Sequence, residues 1–119
     1  MGKLIPGPGG AIDISREVIA KLAGIATTEC FGIVGMVSAH KISDGLTELL
    51  GREAIFKGVE VVVRDDRLLI QVNVVISYGV KISVIADNVI ERVKYIVESH
   101  IGTKVDLVKV NVRGVRVVD

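Results

Sequence analysis

Residues 78–102, YGVKISVIADNVIERVKYIVESHIG, constrain the fold more than any other part of the chain. At about 100° per residue, Ile82, Ile85, Ala86, Val89, Ile90, Val93, Ile96 and Val97 fall in one arc. Lys81, Asp87, Glu91, Lys94 and Glu98 fall outside it. The spacing predicts an amphipathic helix with one buried stripe, closed by Gly102. A stripe of that length has to be covered, so the remaining segments must supply a sheet or a partner helix.

The sheet is legible in the alternation that precedes and follows this helix. Val59, Val61 and Val63 face one way, and Glu60 and Arg64 the other. Asp65-Asp66 makes a tight turn. Leu68, Ile70, Val72, Val74 and Ile76 then share a face, with Arg67, Gln71, Asn73 and Ser77 among the opposite positions. This is a hairpin with one wet face. After the helix, Val108, Val110 and Val112 point inward, while Lys109, Asn111 and Arg113 point out. Val115 and Val117 lie on the opposite parity, so Gly114 marks a bulge that reverses the phase.

Residues 1–9 hold both prolines and several glycines and read as a loose arm before one domain at 10–119. A short edge strand at 11–14 leads to Ser15, an N-cap for a helix whose stripe is Val18, Ile19, Leu22, Ala23, Ile25, Ala26 and Cys30. Gly32 stops it, and 33–38 forms a strand weakened by Gly35. Residues 39–58 are the least patterned: Ser43 or Asp44 caps a short helix over 46–50, and Phe56 plugs the core. The predicted fold class is α+β. It is a two-layer sandwich with two long helices on one face of a mainly antiparallel sheet, in the order β-α-β-(short α)-β-β-α-β.

Composition excludes several function classes. The 119 residues make one domain with a single real core, and only 3% are aromatic, so that core is Val, Ile and Leu. The net charge of +1, from 15 basic and 14 acidic residues, gives no general attraction for nucleic acid or anionic lipid. The charge-free run at 68–80 contains Gln71 and Asn73 and falls short of the ~20 apolar residues a spanning helix needs. No apolar run of signal-peptide type follows Lys3. Cys30 is the one cysteine, which rules out an internal disulfide and fits a reducing compartment. The expected location is cytoplasmic, with any membrane contact made through a partner or a surface patch.

The candidates for chemistry are few. Gly7-Pro8-Gly9-Gly10 lacks the Lys-Ser/Thr of a phosphate loop and does not join a strand to a helix. Glu29 lies in the apolar arc near a helix C-terminus, an unfavourable place for an anion. It either reaches water or a nearby Lys or Arg, or acts as a shifted acid or base, and no adjacent group completes a mechanism. Cys30 would need a histidine as base, and His40 and His100 are the two in the chain. One cysteine and two separated histidines are not a metal signature. The wet face offers Arg64, Arg67, Lys109 and Arg113, but no outward aromatic on which RNA bases could stack. That leaves Val84 and Tyr95, which project opposite the long helix's buried stripe around Asn88 and Glu91. Two apolar residues on one ridge, three turns apart, are candidate anchors for a partner or another copy.

Several stretches together resemble the alkaline shock protein family of Gram-positive bacteria, also called general-stress or envelope stress response proteins. They are GAIDISREVIAKLAG at 10–24, ECFGIVGM at 29–36, KGVEV at 57–61, SYGVKISVIADNVIERVKYIVE at 77–98 and KVDLVKVNVRGV at 104–115. KISDGLTELL at 41–50 is similar to the short YloU-type members. The resemblance covers almost the whole chain in order. It implies a small α+β domain without catalytic residues or cofactor, some of whose members self-assemble near the membrane through an anchored member. It also implies a link to cell-envelope stress and, through gene neighbourhood, to lipid metabolism. The expected function is therefore a non-enzymatic, self-associating scaffold or adaptor that docks on a membrane-anchored family member or a lipid-metabolism protein. The alternative is a small module for an apolar, acyl-type ligand held between helices and sheet.

Overall fold

The structure, a computed structural model, describes residues 3–7, 9–39 and 48–117. Two helices cover one face of a four-stranded sheet, and a separate hairpin precedes them. The first helix, α1, is Arg16–Thr28 and the second, α2, is Ile82–Ile101. In α2 the buried residues are Ile85, Val89, Val93, Val97 and Ile101; the first four belong to the predicted stripe, Ala86, Ile90 and Ile96 flank them half-buried, and Ile82, in the first turn, is half exposed. The helix ends at Gly102, whose φ of 73° and N–H donated to the Glu98 carbonyl at 2.9 Å are those of a left-handed glycine cap.

Ser15 caps α1, its Oγ accepting from the Val18 N–H at 3.2 Å. The buried face of α1 differs from the predicted one. Ile19, Ala20, Ala23, Gly24, Ala26 and Thr27 face the interior, while Val18 and Ile25 are 47% and 56% exposed. The inward face is the small-residue face because the helix lies close to its neighbours. A Cβ on Gly24 would overlap the Ile55 side chain. Ile55 belongs to a 3-10 helix, Arg52–Gly58, that packs beside α1. The short helix predicted over 46–50 has its start and its caps, Ser43 or Asp44, within 40–47, outside the described residues; 48–50 are not helical. Phe56 is half-buried against the core, with the Lys21 ammonium 5.6 Å from its ring centroid.

The N-terminal segment, expected as a loose arm, forms a strand. Lys3–Gly7 (β1) pairs antiparallel with Gly10–Ile14 (β2) in a hairpin of its own. The proline and glycine content marks the turn between these strands as much as it marks disorder. Consequently the 11–14 strand pairs outside the main sheet.

The main sheet holds β3 (Ile33–Met36), β4 (Val59–Arg64), β5 (Arg67–Ser77) and β6 (Leu107–Arg116). β4 and β3 both pair antiparallel with β5, one after the other, at Arg67 to Val72 and at Val74 to Ile76. β6 runs parallel along β5, from Leu69↔Leu107 to Ser77↔Arg116. The sheet is thus antiparallel on one side of β5 and parallel on the other. The parallel pair follows from α2 acting as a crossover between two neighbouring strands. Asp65 and Asp66 turn the hairpin with φ of 49° and 65°, left-handed values that Asp tolerates. The predicted bulge is present: Val112 pairs Val74 and Gly114 pairs Val75, leaving Arg113 as the extra residue.

The core lies between helices and sheet, where Ile19, Leu68, Ile70, Val72, Val89 and Val93 are all fully buried. On the far side of the sheet Asn73 is only 1% exposed, although its parity places it with the wet residues. Its cover is the Gly58 carbonyl and the Arg113 side chain, both of which it binds.

Candidate interaction surfaces

Catalysis is the first possibility the geometry answers. Glu29 is the C-terminal cap residue of α1, and its carboxylate meets the Arg92 guanidinium at 3.1 Å with both side chains about half exposed. The cation across the helix pair satisfies the misplaced anion, as the simpler reading of the sequence expects. An ion pair so exposed contributes at most about 1 kcal/mol. Cys30 beside it is half-buried, and its thiol lies 3.4 Å from the Ala26 carbonyl and 3.9 Å from that of Asn88. Burial pushes the thiol up from its ordinary range, Arg92 draws it back down, and Glu29 pushes it up again. A raised thiol stays protonated near neutral pH, the opposite of an activated nucleophile.

No histidine stands near it among the described residues. The His100 Nδ1 is 2.8 Å from the Ile96 carbonyl at the C-terminal end of α2. That is about 18 Å along the helix from Asn88, the residue Cys30 touches. His40 lies outside the described residues. Among the described residues no three His, Cys, Asp or Glu side chains are grouped to hold a metal ion. A testable consequence concerns alkylation. At a pH just below the ordinary thiol range, iodoacetamide should modify Cys30 more slowly in the native protein than in urea. Arg92→Ala, by removing the charge that lowers the thiol, should slow it further. Mass spectrometry of timed samples reads the rates, and a native rate equal to the unfolded one would contradict the burial account.

Two broad surfaces remain. The first is the outward ridge of α2, where the helix repeat that buries Val89 and Val93 aims Val84, Asn88, Glu91 and Tyr95 away from the sheet. Val84 is 50% and Tyr95 65% exposed, and Asn88 and Glu91 are exposed between them. All four predicted residues therefore lie on one ridge. Val18 and Ile25 of α1 add exposed apolar surface that hydropathy assigns to the core. Their i, i+7 spacing is visible in the sequence. What sequence lacks is the packing distance that selects the small-residue face instead.

The second surface is the far face of the sheet. Here Asn73 joins the two parallel strands: its Oδ1 accepts from Arg113 Nε at 2.9 Å and from Asn111 Nδ2 at 3.3 Å, and its own Nδ2 donates to the Gly58 carbonyl at 3.1 Å. Asn111 Nδ2 also donates to Gln71 Oε1 at 3.2 Å. This network fixes the β5–β6 register and tethers the end of the 3-10 helix. It also holds Arg113 in one orientation. Lys109, Arg64 and Arg67 stand exposed on the same face.

A shallow depression of about 290 Å³ is lined by Phe31, Gly32, Ile33, Val34, Ser77 and Val80. It sits where α1 runs into β3, not between the helices and the sheet.

Comparison with known proteins adds a setting. Residues 6–117 match the alkaline shock protein 23 family, which is described as having a cell envelope-related function. The chain is 50% identical over 108 residues to the uncharacterized protein YloU of Bacillus subtilis (strain 168), covering 91% of this chain and 90% of that one. It is 44% identical over 109 residues to the uncharacterized protein Spy1614 of Streptococcus pyogenes serotype M6, covering 92% and 90%. With the uncharacterized protein YqhY of Bacillus subtilis (strain 168) it shares 29% over 107 residues, 90% of this chain and 78% of the relative. No solved structure matches the chain.

Proposed function

Because the chain belongs to the alkaline shock protein family, whose function is cell envelope-related, we propose that it is a non-enzymatic cytoplasmic scaffold or adaptor. It self-associates and docks on a membrane-anchored family member or on a lipid-metabolism protein. The observation that carries this reading is the α2 ridge, with Val84 and Tyr95 half or more exposed at its two ends. Their separation of 11 residues is about 16 Å along the helix, the reach of a contact made by one helix face. Tyrosine supplies a large contact area at low entropic cost, which is why it is enriched in interfaces. In this reading contact with the membrane passes through the partner; no helix among the described residues is long and apolar enough to cross a bilayer.

A second reading, a module for a small apolar ligand, draws on the depression beside Phe31, which is lined mainly by apolar side chains. Its volume of about 290 Å³ lies just below the ~300–1,000 Å³ of ligand pockets. Scaffolding is therefore the stronger reading. Sedimentation velocity of Tyr95→Ala tests it: the concentration needed for self-association should rise at least about tenfold, as for loss of a central aromatic anchor. An unchanged profile would remove the α2 ridge from the interface.

A further inference from the structure

The two surfaces described above differ in charge, and that difference specifies how copies would meet. The far sheet face carries Arg64, Arg67, Lys109 and Arg113, with Glu60 as the acid that pairs in register beside Gln71. Asp65 and Asp66 lie at the hairpin turn at its end. The α2 ridge instead carries Asp87 and Glu91 next to Val84 and Tyr95. Lys94 lies on its flank, and Arg92 is already engaged by Glu29. Among the described residues neither Asp87 nor Glu91 has an ion-pair partner within the chain.

The Arg113 guanidinium is held by Asn73 and so meets a carboxylate with little ordering cost. Leu69 and Leu107, paired in register and partly open, give Val84 or Tyr95 an apolar place to rest. Leu69 also borders a depression of about 460 Å³ with Arg64, Asp65 and Arg67, where an aromatic ring would meet both apolar surface and guanidinium groups.

We infer that the basic far face of the sheet receives the acidic α2 ridge of a second copy, so that self-association is head-to-tail. The inference rests on the self-association proposed above and adds its geometry. The ridge and the far sheet face lie on opposite sides of the molecule, so two copies cannot meet through both at once and close as a twofold dimer; the contact produces rings or open chains of copies. Opposite charge supplies both orientation and rate, so the contact weakens as salt rises.

Charge exchange between copies tests this with exposed residues and leaves Arg113 and its network untouched. One variant is Arg67→Glu with Lys109→Glu, which makes both of its surfaces acidic. The other is Asp87→Lys with Glu91→Lys, which makes both of its surfaces basic. Circular dichroism and thermal melts confirm that each folds. Sedimentation velocity is then run on the wild type, on each variant alone and on their equimolar mixture. Each variant alone should need at least about tenfold more protein to associate than the wild type, through like-charge contact. The mixture should recover assembly, because each reversed surface now finds an opposite one. Loss in the single variants without recovery in the mixture would overturn the head-to-tail pairing. So would variants that assemble like the wild type, which would place the contact elsewhere. A wild type that stays monomeric at every concentration would defeat the self-association reading itself. If that monomer binds phosphatidylglycerol vesicles and the Arg67→Glu/Lys109→Glu variant does not, the sheet face serves lipid and the inference is overturned.

Discussion

Gly24→Val is expected to destabilise the protein by about 2–3 kcal/mol, the cost of overpacking a closely fitted site. A Cβ at position 24 would already overlap Ile55, and the two γ-methyls of valine add to that conflict. The loss comes despite the better helix propensity of valine, a gain of only a few tenths of a kcal/mol over glycine. The helix must lift from the 3-10 helix, and the small-residue face that includes Ala20, Ala23 and Thr27 would lose contact with it. Since domains of this size are stable by only about 5–15 kcal/mol, urea unfolding should show a clearly lower midpoint. Ile55→Ala placed in the Gly24→Val background should cost less than Ile55→Ala alone, because the space it opens relieves the overlap. A Gly24→Val midpoint equal to the wild type would mean that α1 does not approach so closely.

The second large effect concerns Asn73. Asn73→Ala should cost about 2–3 kcal/mol, because it leaves the buried Gly58 carbonyl without its donor and opens a gap under Arg113. Asn111→Ala removes a half-buried side chain whose partners Gln71 and Asn73 retain other contacts or solvent, and should cost under about 1 kcal/mol. The contrast between the two is the test. Equal effects would show that Asn73 does no more than its half-buried neighbour and does not tether the 3-10 helix. Asn73→Ala should also free Arg113, so it should weaken assembly beyond its effect on folding if the sheet face is a contact surface.

Both residues show where sequence stops being informative. The buried stripe of α2 is legible because Val89, Val93 and Val97 are large, apolar and unopposed on their arc. The bulge at Gly114 is legible because the parity of the valines reverses across it. In α1, hydropathy points to Val18 and Ile25, yet proximity selects Ala20, Gly24 and Thr27, and a hydropathy scale contains no distances. The predicted arc is rotated by about a quarter turn for that reason. Asn73 reads as a wet residue because alternation reports the side of the sheet, not what covers that side. The alternating pattern of β4 and β5 makes a mainly antiparallel sheet legible, while the order strand, helix, strand around α2 permits the one parallel pair without specifying it. The ridge residues Val84, Asn88, Glu91 and Tyr95 are legible because a surface helix has one period, and an apolar residue opposite the stripe breaks it visibly. The surface proposed to meet them is assembled from strands distant in sequence, which no single period reports.

If this member of the alkaline shock protein family works by associating with itself through that ridge, its copy number must depend on concentration. Native mass spectrometry of untagged protein, gently prepared and taken over a concentration series, tests this most directly because copy number and bound mass are read together. The expected result is discrete oligomers that grow with concentration and carry no added small mass. A bare monomer at every concentration, or a monomer carrying a stoichiometric small molecule, would contradict it.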